Sequence, residues 1–194
     1  MKLRDIAEIK TGLVLSRKAA DSTEERNFTY QQLNLKCINE NGTIDKNALD
    51  IFHSLEELGY NYITYPGDIV IRLTVPNTSV LITDQTKGIV VSSHFCIIRA
   101  RRGKAISAYI QWYLNSDIVK SKIAKNVTGG TFAAIKPSFL SELEIKPLSL
   151  AEQQKIADIY VTSQRELFLI DTIKHNKELL YKTALVSLYH KNNR

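Results

Sequence analysis

Pro147-Leu148-Ser149-Leu150-Ala151-Glu152-Gln153-Gln154-Lys155-Ile156 is the stretch that divides the chain. Ser149 followed three positions later by Glu152 is a capping box. The serine hydroxyl accepts from the backbone N–H at 152, the glutamate carboxylate accepts from the N–H at 149, and a helix starts there. Beyond Pro147 neither Gly nor Pro occurs again. Apolar residues recur at intervals of three and four, at Ile156, Ile159, Leu167, Ile170, Ile173, Leu180, Ala184 and Leu188. One helix of about 40 residues would be about 60 Å long. A domain built from residues 1–147 cannot cover such a helix with its own core. The alternative is a break into two packed helices; the reading adopted is one projecting helix that needs a partner.

Upstream the pattern changes. Leu3 to Gly12 reads as one short amphipathic element ended by the glycine. Thr29 to Ile38 carries a strand-like alternation at Leu33, Leu35 and Cys37, followed by the turn pair Asn41-Gly42. Tyr65-Pro66-Gly67-Asp68 is a turn leading into the strand Ile69-Val70-Ile71-Arg72-Leu73. Further strands are expected at 80–82, 89–91 and 95–99. Ser107 is placed to cap a helix running to Leu114, and a second helix spans Asp117 to Lys125. The expected class is α/β (α+β): a mixed-sheet domain over residues 1–147, then a long dimerising α-helix within 148–194.

The charge is unevenly distributed. The chain of 194 residues carries a net charge of +6, yet Gln85 to Ser141 holds nine Lys or Arg against the single acid Asp117. That segment therefore carries +8, and the remainder is slightly acidic. Concentrated positive charge is the footprint of a polyanion-binding surface, although it also serves solubility alone; the depletion of acids favours nucleic acid. No apolar run reaches the roughly 18–20 residues of a membrane span, and the N-terminus lacks a signal-peptide core. Cys37 and Cys96 stand alone and are expected to be reduced and buried. These features fit a cytoplasmic protein without a membrane association.

Catalytic signatures are missing. There is no GxxxxGK[ST] or GxGxxG phosphate cradle, no HExxH, no GxSxG and no paired cysteine cluster. His53, His94, His175 and His190 include no pair at i, i+4, so no metal site and no cofactor is expected. One enzymatic alternative is a small Mg-dependent nuclease using Asp68, Glu144 and Lys146. The acid and the Glu-x-Lys pair lie 76 positions apart, so a turn aspartate and a strand end explain them as well.

A series of motifs runs through nearly the whole chain: Leu3-Arg4-Asp5-Ile6-Ala7-Glu8-Ile9 with Gly12, Gly67-Asp68-Ile69-Val70-Ile71-Arg72, and Val91-Ser92-Ser93-His94-Phe95 running to Arg99. Tyr113-Leu114-Asn115-Ser116 follows, then Gly129-Gly130-Thr131 through Ile135 and Leu140 to Leu150-Ala151-Glu152-Gln153-Gln154-Lys155-Ile156. The order of these motifs resembles one half of the specificity (S) subunit of type I restriction–modification enzymes. The resemblance implies a target-recognition domain followed by a conserved helix, recognition of double-stranded DNA without catalysis, and methyltransferase (modification) subunits as partners. A complete S subunit carries two such domains and two helices; this chain has one of each. The Met1 start and basic end at Arg194 read as a half-subunit, with a segment of a longer subunit as the alternative.

DNA readers need cations for phosphates and amides, hydroxyls and Arg forks for base edges. Three loops offer that mixture: Arg72, Thr74, Asn77 and Thr78; Ser93 and His94; and Lys125, Asn126, Gly130 and Thr131, with Lys136 beyond. Structural roles are open to the same residues: Arg72 on a strand surface, Ser93 and His94 satisfying buried polar groups. The helix stripe Leu167, Ile170, Ile173, Leu180, Ala184 and Leu188 is the expected homodimer seam, forming a coiled coil.

Overall fold

A computed structural model describes residues 1–20, 28–39, 41–126 and 134–191. The run Asp68-Ile69-Val70-Ile71-Arg72 forms β4 (Asp68–Arg72) at the centre of a four-stranded sheet. Its neighbours are β7 (Phe95–Ala100) on one side and β5 (Ser79–Leu81) on the other, with β1 (Ala7–Thr11) beyond β7. All three pairings are antiparallel.

The strand alternation divides two cores. Ile69, Ile71, Cys96 and Ile98 face one side, packing with Leu3, Ile6, Tyr109, Ile110 and Leu114. Val70, Phe95 and Ile97 face the other side, packing with Leu33, Cys37, Val80, Ile82 and Val91. Both faces are covered, which is why β4 reads as an unbroken apolar run rather than an alternating one. The helical cover comes from α1 (Leu3–Ile6), α2 (Ser107–Asn115), α3 (Asp117–Asn126) and α4 (Pro137–Glu142). The opposite cover includes a small sheet of β3 (Asp50–Ser54), β2 (Phe28–Leu33) and β6 (Val90–Val91). Parallel pairing occurs there, between β2 and β6.

Three local expectations are corrected. Leu3 to Gly12 is a helical turn and then a strand, because Ala7–Thr11 finds a ladder partner in Cys96–Ala100. The alternation through Cys37 ends as a strand at Leu33; the Asn34 carboxamide accepts from the N–H groups of Lys36 (2.8 Å) and Cys37 (3.1 Å) and turns the chain. Ser107 is the first helical residue and makes no cap bond, since the N-cap position is Ile106.

The capping box does form: Ser149 N–H donates to Glu152 Oε2 at 2.8 Å and Glu152 N–H to Ser149 Oγ at 3.3 Å. It opens α5 (Leu150–Lys191), one unbroken helix of 42 residues. Its first turns lie on α2, where Gln153 and Ala157 are its buried residues, and every residue described from Arg165 onward is exposed. None of the described helices is long and apolar enough to cross a membrane. Both cysteines are free and buried, and burial pushes the Cys96 thiol up to about 11.

Candidate nucleic-acid interface

Leu73 is where the separated polar loops meet. Its N–H donates to His94 O (3.0 Å), while its carbonyl accepts from Ile135 N–H (2.9 Å) and from Asn77 Nδ2 (2.9 Å). These bonds gather Arg72, Thr74, Ser93, His94 and Lys136 at one end of the large sheet. His94 and Lys136 are exposed, and Arg72, Thr74 and Ser93 are half-buried. The Arg72 guanidinium donates to Thr74 Oγ1 at 3.0 Å, so the fork is held by its own loop.

Gly12 supports this cluster from behind. Its N–H donates to Phe95 O (3.0 Å), Leu13 N–H to Val91 O (2.8 Å) and Ser93 N–H to Leu13 O (2.8 Å). A Cβ at Gly12 would lie 2.2 Å from Ser92 O, a contact no side chain can make.

Asn77 and Thr78 take a different role from the expected one. Both are buried, at 4% and 5% exposure. Asn77 adopts φ 53°, a left-handed conformation asparagine tolerates, and its amide is committed to the Arg72 and Leu73 carbonyls. The Asn77 amide thus shapes the loop rather than facing a base edge, and the buried Thr78 accepts from Arg72 N–H through its carbonyl (3.0 Å). Lys120 of α3 ties the same loop down, donating to Pro76 O (2.7 Å) and Asn77 O (2.5 Å). Burial pushes its ammonium down to about 8.

Lys125 and Asn126 lie at the end of α3 and make no hydrogen bond to the Leu73 cluster among the described residues. Both are exposed, but Asn126 donates back to Lys122 O (2.9 Å) and lines a cleft with Glu142 and Glu144. Gly130 and Thr131 lie outside the described residues.

The +8 segment is also less free than the count suggests. Arg99 is buried against Asp68, Lys87 lies 3.3 Å from Asp84, and Lys120 is spent on carbonyls. Arg101, Arg102 and Lys104 stay exposed, but they follow the Arg99 end of β7, opposite the Arg72–Phe95 end.

The nuclease arrangement is not assembled. Both Asp68 carboxylate oxygens are taken, by Arg99 and by Tyr65 N–H (2.9 Å). Glu144 bridges to Lys2 in backbone pairing and its carbonyl accepts from Tyr113 Oη (2.5 Å). Among the described residues no group of three His, Cys, Asp or Glu could hold a metal ion.

What sequence reasoning missed is the seating of α5. Gln153 Oε1 accepts from Ile106 N–H (3.0 Å), and its Nε2 donates to Leu148 O (3.0 Å). Two turns on, Tyr160 Oη accepts from Asn115 Nδ2 (2.8 Å). Asn115 in turn pairs with the Ser79 backbone through both its oxygen (2.8 Å) and its nitrogen (2.9 Å). The Glu-Gln-x-x-Ile motif contains Gln153 and the Tyr-Leu-Asn-Ser motif contains Asn115, but neither shows that the two residues join α5 to opposite ends of α2, and Tyr160 belongs to neither motif.

No curated protein matches the chain. Solved structures do. A structure described as the basis of complex assembly and conformational transition of the type I R-M system is 19% identical with a TM-score of 0.63, over 97% of this chain and 48% of that one. The HsdS subunit from Thermoanaerobacter tengcongensis is 20% identical with a TM-score of 0.63, over 95% of this chain and 47% of that one. The type I restriction–modification S subunit from M. genitalium is 18% identical with a TM-score of 0.55, over 92% and 42%. The chain thus shares their fold while spanning about half their length. Residues 1–180 match the family described as the type I restriction modification DNA specificity domain, and the chain belongs to that family.

Proposed function

We propose that this chain is a non-catalytic sequence-recognition subunit of a type I restriction–modification system, acting in the cytoplasm where the DNA is. It binds one half-site of a bipartite duplex target, pairs with a second copy along α5, and directs methyltransferase subunits to the DNA. Residues 1–147 form the recognition domain and 148–194 the assembly helix. The observation that carries this reading is the convergence of Arg72, Thr74, Ser93, His94 and Lys136 around Leu73. An Arg fork, hydroxyls, an imidazole and a cation at one sheet end are the groups that read base edges and hold phosphates. Lys125, Asn126, Gly130 and Thr131 are assigned to flanking phosphate contacts on their residue types. No cofactor enters this reading.

A mobility-shift titration over several salt concentrations tests it. Lys136→Ala should weaken binding to every duplex and reduce the salt slope by about one. Arg72→Ala should change the preference among duplexes, by about 1–3 kcal/mol for a good base contact. Wild-type affinity in both variants would refute this placement of the interface.

A further inference from the structure

The grip of the domain on α5 is narrow. Of its 42 residues only Gln153 and Ala157 are buried, and α2 is its main packing partner among the described elements. A contact so short leaves direction to be fixed by bonds with defined geometry, and two such bonds are present. Gln153 holds the backbone N–H of Ile106, just before α2, and Tyr160 takes the Asn115 amide at the end of α2. The two anchors are about 10 Å apart along α5 and meet opposite ends of the same helix. Asn115 is itself locked to Ser79 of β5, which adjoins the Thr74–Thr78 loop. The polar chain therefore runs from β5, next to the loop that carries Thr74, through Asn115 at the end of α2, into the projecting helix.

Leverage makes the angle matter. Lys191 lies about 46 Å beyond Tyr160 along the helix. A swing of about 10° at the anchor displaces that end by roughly 8 Å, more than two base-pair steps of about 3.4 Å. We propose that Gln153 and Tyr160 are positioning residues that lock the exit angle of α5, and that this lock sets the spacing at which two half-sites are read. The inference rests on the proposed pairing of two copies, which supplies the second half-site.

Two measurements on the full chain separate it from that reading. Spin labels at Lys46→Cys and Lys177→Cys report the distance between domain and helix, with excess unlabelled chain added to dilute contacts between labelled copies. Cys37 and Cys96 are fully buried and stay unlabelled. Tyr160→Phe and Gln153→Leu should broaden the distance distribution, while Lys155→Ala, on an exposed position, should leave it as in the wild type. Binding to duplexes whose half-sites differ in spacer by one base pair gives the second readout. If the variant divides its population among about three spacings, affinity at the best spacer falls about threefold and the neighbours gain. Binding to a single half-site should be unchanged. Sharp distances in both variants, or an unaltered spacer preference, overturn the lock. A wild-type chain without a preferred spacer overturns the paired-copy reading, and the distance measurement still decides whether the anchors hold the helix.

Discussion

Arg99 Nε donates to Asp68 Oδ1 across 3.0 Å and its Nη2 to Asp68 Oδ2 across 3.1 Å, so the guanidinium grips both carboxylate oxygens. The pair is buried, with side-chain exposures of 8% and 6%. Arg99 also donates to the carbonyls of Tyr60 (2.8 Å) and Ile63 (2.9 Å), and its guanidinium carbon lies 3.7 Å from the Tyr60 ring centroid. The Gly-Asp-Ile motif is thus a structural tie between β4, β7 and the loop before them. Asp68→Asn leaves a buried cation without its counter-charge and should cost about 3–5 kcal/mol, read as a lower denaturant midpoint at unchanged slope. Asp68→Leu combined with Arg99→Met should cost less than Asp68→Asn alone, because no buried charge is left unpaired.

Gly12 carries a second structural prediction with a functional edge. Gly12→Ala forces β1 away from Ser92 O, since the added carbon would meet backbone rather than a movable side chain. Overpacking of this kind costs about 1–3 kcal/mol, a fall of roughly 2–12 °C in Tm for a chain of this size. The strain falls on the loop holding Ser93 and His94, so DNA affinity measured well below the Tm should drop as well. A variant with wild-type melting would show that the two segments separate freely.

Lys120 gives a pH dependence. Burial lowers its folded pKa to about 8, against an ordinary value of 10.5 for the unfolded chain. Between those values the unfolded state binds the additional proton, so this group's contribution to stability grows as pH rises from about 8 toward 10.5. Denaturant midpoints of wild type and Lys120→Met should therefore change differently over that range, the wild type gaining relative to the variant. Parallel curves would mean that the ammonium titrates as it does in water.

The helix start was legible because the chemistry of Ser149 and Glu152 is complete within three residues. The central strand was legible for a similar reason: Gly67 supplies φ +89° at the turn, and five consecutive residues then fit a sheet covered on both sides. The fate of Asn77 was not, because its partners are the carbonyls of Arg72 and Leu73 brought round by a loop that Lys120 fastens from another helix. Counting charge failed at Arg99 for the same reason, since its acid lies 31 positions earlier. Local signals predict elements; the partner of a polar side chain depends on the fold that joins them.

The exposed surface of α5 sets the final prediction. Leu167, Ile170, Ile173, Leu180 and Leu188 are each more than half exposed, at 52–62%, and Ala184 is exposed beside them. At about 100° per residue these six cluster on one side of the helix. Phe168, Leu179 and Val186, also exposed, fall on roughly the opposite side. A helix apolar on two sides is one that is covered on two sides. In the proposed assembly the first side faces an antiparallel copy of α5, two-fold pairing being the commonest closed arrangement of identical chains. At about 25 cal/mol per Å² of apolar surface, a seam of this length leaves several kcal/mol after the cost of association. In the same proposal the second side is left for the methyltransferase subunit. Ile170→Asp with Leu180→Asp should give a folded monomer by light scattering that no longer binds the bipartite duplex tightly. Phe168→Ser with Val186→Ser should remain dimeric, bind DNA as the wild type does, and fail to retain the methyltransferase in co-purification. A wild-type chain that scatters as a monomer at micromolar concentration would overturn the homodimer, and a Phe168/Val186 variant that still retains the methyltransferase would overturn the assignment of the second side.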